Sequence, residues 1–165
     1  MIKFNKILCP TDFSEPSVEG VRYAVEMARL FNAELCLVHV APFTTPIPLD
    51  ATLGAPFIGA HNAETLRLES AQRLEEFAKQ KLPPGLRIST RLGDGLPAAE
   101  IVRLAEAEAA NLIVIATNGE TGWRHLVFGS VAETVVRTAN CPVLTVRAPR
   151  ENNEQTIAIP VEQAA

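Results

Sequence analysis

At 165 residues, 47% hydrophobic and 21% charged, the chain has the length of one domain and enough apolar material for a core, which excludes a disordered or fibrous protein. A net charge of −4, with lysine and arginine scattered, provides no basic footprint for a nucleic-acid backbone. The apolar runs are far shorter than the ~20 residues that span a bilayer, and MIKFNKILCPTD lacks a signal-peptide pattern. The expectation is a cytoplasmic protein that engages neither nucleic acid nor membrane.

The elements follow in chain order. Residues 7–9 open a short apolar run that stops at Pro10-Thr11-Asp12, as a buried first strand does. Val18, Val21, Val25, Ala28 and Phe31 then fall three and four apart on one helical face. Ser14 is placed as the N-cap of this first helix, and Pro16 is tolerated in its first turn. ELCLVHV, residues 34–40, is short and rich in branched apolar residues, and is the second strand. The twenty-odd residues APFTTPIPLDATLGAPFIGAHN, 41–62, show no period, and a loop this long in a compact domain commonly carries function or lacks order.

Residues 63–81 return to helical spacing through Leu66, Ser70, Leu74 and Phe77 and stop at Pro83-Pro84-Gly85. LRISTRL, 86–92, alternates like a strand with one wet face at a sheet edge. Ala98, Ile101, Val102, Ala105 and Ala109 mark the third helix, NLIVIA the fourth strand, 131–139 the fourth helix and 142–146 the fifth strand. The polar end after Arg147 contains TIAIPV, a candidate short strand, and 149–165 is set apart from a domain over 1–148. Largely apolar strands that alternate with helices imply an α/β fold of the Rossmann-like kind, a single-domain open parallel five-stranded sheet with helices on both faces.

Cys9, Cys36 and Cys141 are odd in number and lack C-x-x-C spacing, which speaks against a disulfide framework and a zinc site. No His/Asp/Glu cluster has metal-ligand spacing, no nucleophile and base are recommended by their order, and His39 reads as a packed residue at the end of an apolar strand.

In such sheets ligands sit outside the carboxyl ends of the strands, where the order of strands reverses. Two ends stand out: Pro10-Thr11-Asp12 after the first strand and Ala116-Thr117-Asn118-Gly119 after the fourth. Gly119 and Gly129 suit close approach of an anion, Gly129-Ser130 lead into a helix whose unpaired N–H groups favour phosphate, and Asp12 is a candidate acceptor for ribose hydroxyls. The same residues also read as plain turn chemistry, because S-V-A-E at 130–133 is a capping box and Thr11-Asp12 suits a turn before a helix. There is no Walker loop, and on pattern alone phosphate binding and a simple turn stay equally open.

Taken together, KILCPTDFSEPS, ELCLVHV and GETGWRHLVFGSVAETVVRTANCPVLTVR resemble the universal stress protein family from about Lys3 to Arg147. The resemblance implies strand order 3-2-1-4-5, a homodimer with the fifth strand in the contact, and ATP as cofactor, with Mg²⁺ as an optional companion. The family's nucleotide-binding branch carries G-x2-G-x9-G-[ST]; Gly119, Gly129 and Ser130 match it, whereas Ala116 stands where the first glycine belongs. Carried over to this sequence, Pro10, Thr11, Asp12 and Val40 line the adenosine side, and Ala116, Thr117, Gly119, Gly129, Ser130 and Val131 surround the phosphates. An extended backbone at Ala116 accommodates the extra methyl group, and a positive φ there does not. The expectation is an ATP-binding regulatory protein of stress response that acts on an unidentified protein partner. The alternatives are an interaction module without nucleotide and, third, a slow ATPase in which Arg124 and His125 approach the phosphates. A dedicated enzyme is not expected.

Overall fold

The computed structural model describes residues 3–41, 58–117 and 129–147, with the side chains of 58–63 excepted. The loop after the second strand, the segment holding Asn118, Gly119, Gly122, Trp123, Arg124 and His125, and the C-terminal residues with TIAIPV lie outside the described residues.

The described residues form β1 (Lys6–Pro10), α1 (Glu15–Phe31), β2 (Glu34–Ala41), α2 (Ile58–Lys81), β3 (Ile88–Asp94), α3 (Pro97–Ala107), β4 (Leu112–Thr117), α4 (Ser130–Thr138) and β5 (Val143–Arg147). They build one parallel sheet in the order β3-β2-β1-β4-β5. The expected α/β class, strand count and order are therefore all present, and β1 and β4 are neighbours through Ile7↔Leu112 and Leu8↔Ile113.

Alternation along the strands sorts the core into two layers. Ile7, Cys9, Leu35, Leu37, Leu112 and Val114 pack with Val21, Ala24, Ala28, Leu74 and Ala78, which puts α1 and α2 on one face. Leu8, Cys36, Val38, Ile113 and Ile115 pack with Ile101, Leu104, Ala132 and Val135, which puts α3 and α4 on the other. Each fully buried Leu, Ile or Val contributes roughly 1.5–3 kcal/mol relative to exposure. Cys9 and Cys36 belong to these layers as small apolar groups, and burial pushes the Cys9 thiol up to about 12.

α1 begins as its sequence demands: Ser14 is extended at φ −72°, ψ 158°, and its hydroxyl accepts from the Ser17 N–H at 3.4 Å. It ends at Asn32, left-handed at φ 51°, a conformation asparagine tolerates. Three sequence expectations are corrected. α2 starts at Ile58 and not at residue 63, so His61 lies in the helix; the stretch Ile-Gly-Ala-His-Asn carries no apolar period to announce it. β3 runs to Asp94, because Gly93 and Asp94 still pair with Val40 and Ala41, and the glycine that turns the chain is Gly95, at φ 114°. Gly129, not Ser130, is the N-cap of α4, and among the described residues no side chain caps that helix. The S-x-x-E box is thus one position out of phase.

At the amino ends of the strands the Asn111 side-chain oxygen accepts from Asn5 N at 2.9 Å and Lys6 N at 3.1 Å, fastening the start of β4 to the start of β1.

Candidate functional site

A cleft of about 280 Å³ opens at the carboxyl ends of β1, β2 and β4, near the lower end of the range for ligand clefts. Its floor and near wall come from Pro10, Thr11 and Asp12 after β1 and from His39 and Val40 of β2. Ile115 and Ala116 of β4 with Gly129, Ser130 and Val131 at the start of α4 close one side, and Pro97 and Ile101 of α3 the other. Of the ten residues expected at a nucleotide site, eight line this cleft. Thr117 does not: it is buried, and its hydroxyl donates to the Val146 carbonyl at 3.4 Å. Gly119 lies outside the described residues.

The turn after β1 is held by its own side chains. The Thr11 N–H donates to Val38 O at 2.8 Å, its hydroxyl accepts from the Phe13 N–H at 3.0 Å, and it lies 3.0 Å from the Ser17 hydroxyl. Asp12 Oδ1 accepts from the amide of Ser14 at 3.0 Å and from its hydroxyl. The walls around Asp12 push its carboxyl up, hydrogen bonds from Ser14 pull it down, and the second effect wins, so the group sits below the usual carboxylate range. A charged acceptor is thereby fixed at the rim of the cleft. His39 Nδ1 lies 2.8 Å from the Thr11 carbonyl, which only accepts, so the nitrogen carries the proton and donates. The packed role expected for His39 holds, and the residue is a cleft wall as well.

Phe13 is left-handed at φ 66°, a conformation that costs a residue with a Cβ about 1–2 kcal/mol. This reversal separates the turn's side chains: Thr11, Asp12, Ser14 and Ser17 border the cleft, whereas the Phe13 ring packs 4.4 Å from the His39 ring and 5.4 Å from the Phe77 ring on α2. The Arg73 guanidinium lies 4.2 Å over its face.

Ala116 sits in a regular β4 pairing opposite Val146, within extended backbone and without positive φ. By strand alternation its methyl group shares the face of Leu112 and Val114, the α1 side, where Gly20 leaves room for it: a Cβ on Gly20 would come 3.2 Å from the Ala116 Cβ. Ile115, its neighbour, faces the α3/α4 side. The methyl that departs from the glycine pattern is therefore turned toward α1. Gly129 is not left-handed, since φ is −64°, and among the described residues a Cβ there would meet nothing within 4 Å. It leads into α4, whose first N–H groups have no intrahelical acceptor. Among the described residues no group of three or more His, Cys, Asp or Glu forms a metal cage.

Ser14, Ser17, Pro97 and Ile101 were not singled out as site residues. Ser14 and Ser17 could have been found as hydroxyls in the first turn of a helix that starts beside the first strand's end. Pro97 and Ile101 reach the cleft only through the fold and leave no local signal.

The chain matches the model of the Universal stress protein family over residues 3–147. It is 36% identical to Universal stress protein MJ0531 of Methanocaldococcus jannaschii, over 90% of this chain and 85% of that protein. Its fold is similar to the solved structure of MJ0577, with a TM-score of 0.68 and 27% identity over 90% of this chain and 99% of the other. It is also similar in fold to the universal stress protein from Archaeoglobus fulgidus in complex with dAMP, with a TM-score of 0.51 and 24% identity over 88% and 98% of the two chains.

Proposed function

The chain belongs to the universal stress protein family, and from that premise we propose that it is a regulatory protein that binds ATP across the junction of β1 and β4. The observation that carries this reading is the convergence of eight expected residues on one cleft, whose α4 wall is a helix start without a side-chain cap among the described residues. Asp12 accepts from the ribose hydroxyls, the β2 end at Val40 lies against the base, and Ser130 and Val131 present main-chain N–H groups to the phosphates. The relative in complex with dAMP shares this fold, and dAMP is of the same adenine-nucleotide class. ATP supplies the negative charge that an uncapped helix start favours. Mg²⁺ arrives with the phosphates, which commonly hold it together with one or two carboxylates.

The protein works as a homodimer through β5, which among the described residues is an edge strand beside β4 and whose Val143, Leu144 and Thr145 are only half-buried. Binding of ATP changes what a protein partner meets at the cleft rim.

The test is to denature the purified protein, identify released nucleotide by mass, and titrate ATP against the fluorescence of the single tryptophan, Trp123. Co-purified adenine nucleotide or a saturable response supports the reading. No nucleotide and no response up to about millimolar ATP, a barely favourable affinity, overturns it in favour of an interaction module without nucleotide. Sedimentation of the native protein at twice the monomer mass checks the dimer.

A further inference from the structure

We propose that Phe13 is a positioning residue that couples the cleft to α2, so that occupancy of the cleft by ATP and the seating of α2 stabilise one another; this rests on the ATP reading above. Thr11 and Asp12 are presented to the cleft by a turn whose central residue is held in a conformation that side chains rarely adopt. Such a conformation persists only when its surroundings over-determine it. Inside the turn, the Phe13 N–H is tied to the Thr11 hydroxyl. Outside it, the ring is enclosed by three groups: His39 of β2 on one side, with Phe77 and Arg73 of α2 on the other.

His39 joins the two parts, since its ring packs on Phe13 while its Nδ1–H holds the Thr11 carbonyl. A shift of α2 that withdraws Phe77 and Arg73 therefore removes the packing that keeps Phe13 left-handed and releases Thr11 and Asp12 from their cleft geometry. By linkage, a ligand that fixes Thr11 and Asp12 favours the seated helix to the same extent. Phe13 does not line the cleft but touches two residues that do, Thr11 and His39, so its effect on ligand is exerted through them. α2 follows β2 through residues 42–57 and also meets the edge strand β3, so the surface that would respond lies away from the β5 edge.

The experiment follows hydrogen exchange in residues 11–17 and 70–81 with and without ATP, in the wild-type protein and in Phe13→Gly, Phe77→Ala and Phe13→Tyr. In wild type, ATP is expected to slow exchange in both segments. Phe13→Gly takes the left-handed backbone without strain but lacks the ring; there ATP is expected to protect 11–17 and no longer 70–81. Phe77→Ala, remote from the cleft, is expected to weaken ATP binding about fivefold, a typical coupling, and Phe13→Tyr, which keeps the ring, to behave as wild type. An unchanged ATP response of 70–81 in Phe13→Gly, or unchanged ATP affinity in Phe77→Ala, overturns the proposal. Wild type that binds no ATP refutes the nucleotide reading, and the ligand-free data then decide the tie itself. Faster exchange of 11–17 in Phe77→Ala supports it, and exchange equal to wild type in both Phe77→Ala and Phe13→Gly overturns it.

Discussion

The two ends of the sheet use polar side chains in opposite ways. At the amino ends, Lys6 Nζ lies 2.8 Å from Glu108 and 3.2 Å from Glu34, the Ser89 hydroxyl donates to Glu34 at 2.6 Å, and Arg91 completes the group on Glu108. Lys6, then Arg91, hold the Glu108 carboxyl below its usual range, and Glu108 in turn holds the Lys6 ammonium above its own. Every charge there is answered by an opposite charge of the same chain. At the carboxyl end of β1, the Thr11, Ser14 and Ser17 hydroxyls and Asp12 bond within their own turn, and they border a cleft beside a helix start without a side-chain cap among the described residues. The difference separates two meanings of a displaced titration. A closed network shifts pKa values as thoroughly as a binding site does, so the cleft and not the shift marks the candidate site.

The strongest way to break the contrast acts on the layer beneath both ends. Leu37→Ala deletes a fully buried side chain and is expected to cost about 2–5 kcal/mol, read as a lower urea midpoint, with ATP affinity falling only as folded protein is lost. Asp12→Ala should act at one end alone: ATP affinity drops about tenfold or more, as for a hydrogen bond to a charged group, while the urea midpoint moves little.

Glu108→Gln is the opposite case, with about 1 kcal/mol of stability lost and ATP affinity unchanged. Its pH signature has a definite sign. The folded Glu108 pKa lies below the usual 4.5, so its contribution is complete above about pH 4.5 and disappears as pH falls through the folded value. Glu108→Gln should flatten that acid limb in a urea series across pH. The folded Lys6 pKa lies above 10.5, so its contribution is complete below that pH and is lost as pH rises through the folded value. The smallest effect is expected from Ala116→Gly. With the methyl turned toward Gly20, ATP affinity should change by less than about threefold and stability should fall by about 0.5–1 kcal/mol, the usual cost of glycine in a strand.

The sheet was legible because four strands are short apolar runs, β3 alternates, and each helix but one shows its face every three or four residues. The exception is the first turns of α2, where Ile58, Gly59 and His61 give no period. The cleft was legible where its residues fall at strand ends, as Pro10, Thr11, Asp12, Val40 and Ala116 do, because topology alone assigns such positions to ligands. Ile101 and Pro97 were not, since a helix two elements away supplies them. The direction of the Ala116 methyl is set by Gly20 on α1, a contact that leaves no local signal, and the left-handed Phe13 has no sequence signal at all. The side chain of Thr117 is committed elsewhere, because a strand-end threonine can face the ligand or the next strand, and here its hydroxyl bonds to β5.

The clasp made by Asn111 on Asn5 and Lys6 joins positions 106 and 105 residues apart. β1 can zip to β2 across a short connection, but its other edge waits until most of the chain has been laid down and its ends brought together, a closure whose entropy cost grows with loop length. The cleft proposed for ATP straddles that seam. A nucleotide held there grips two halves of the chain that meet only near the end of folding, so its kinetic trace should be slower unfolding, with the folding rate left almost as it was.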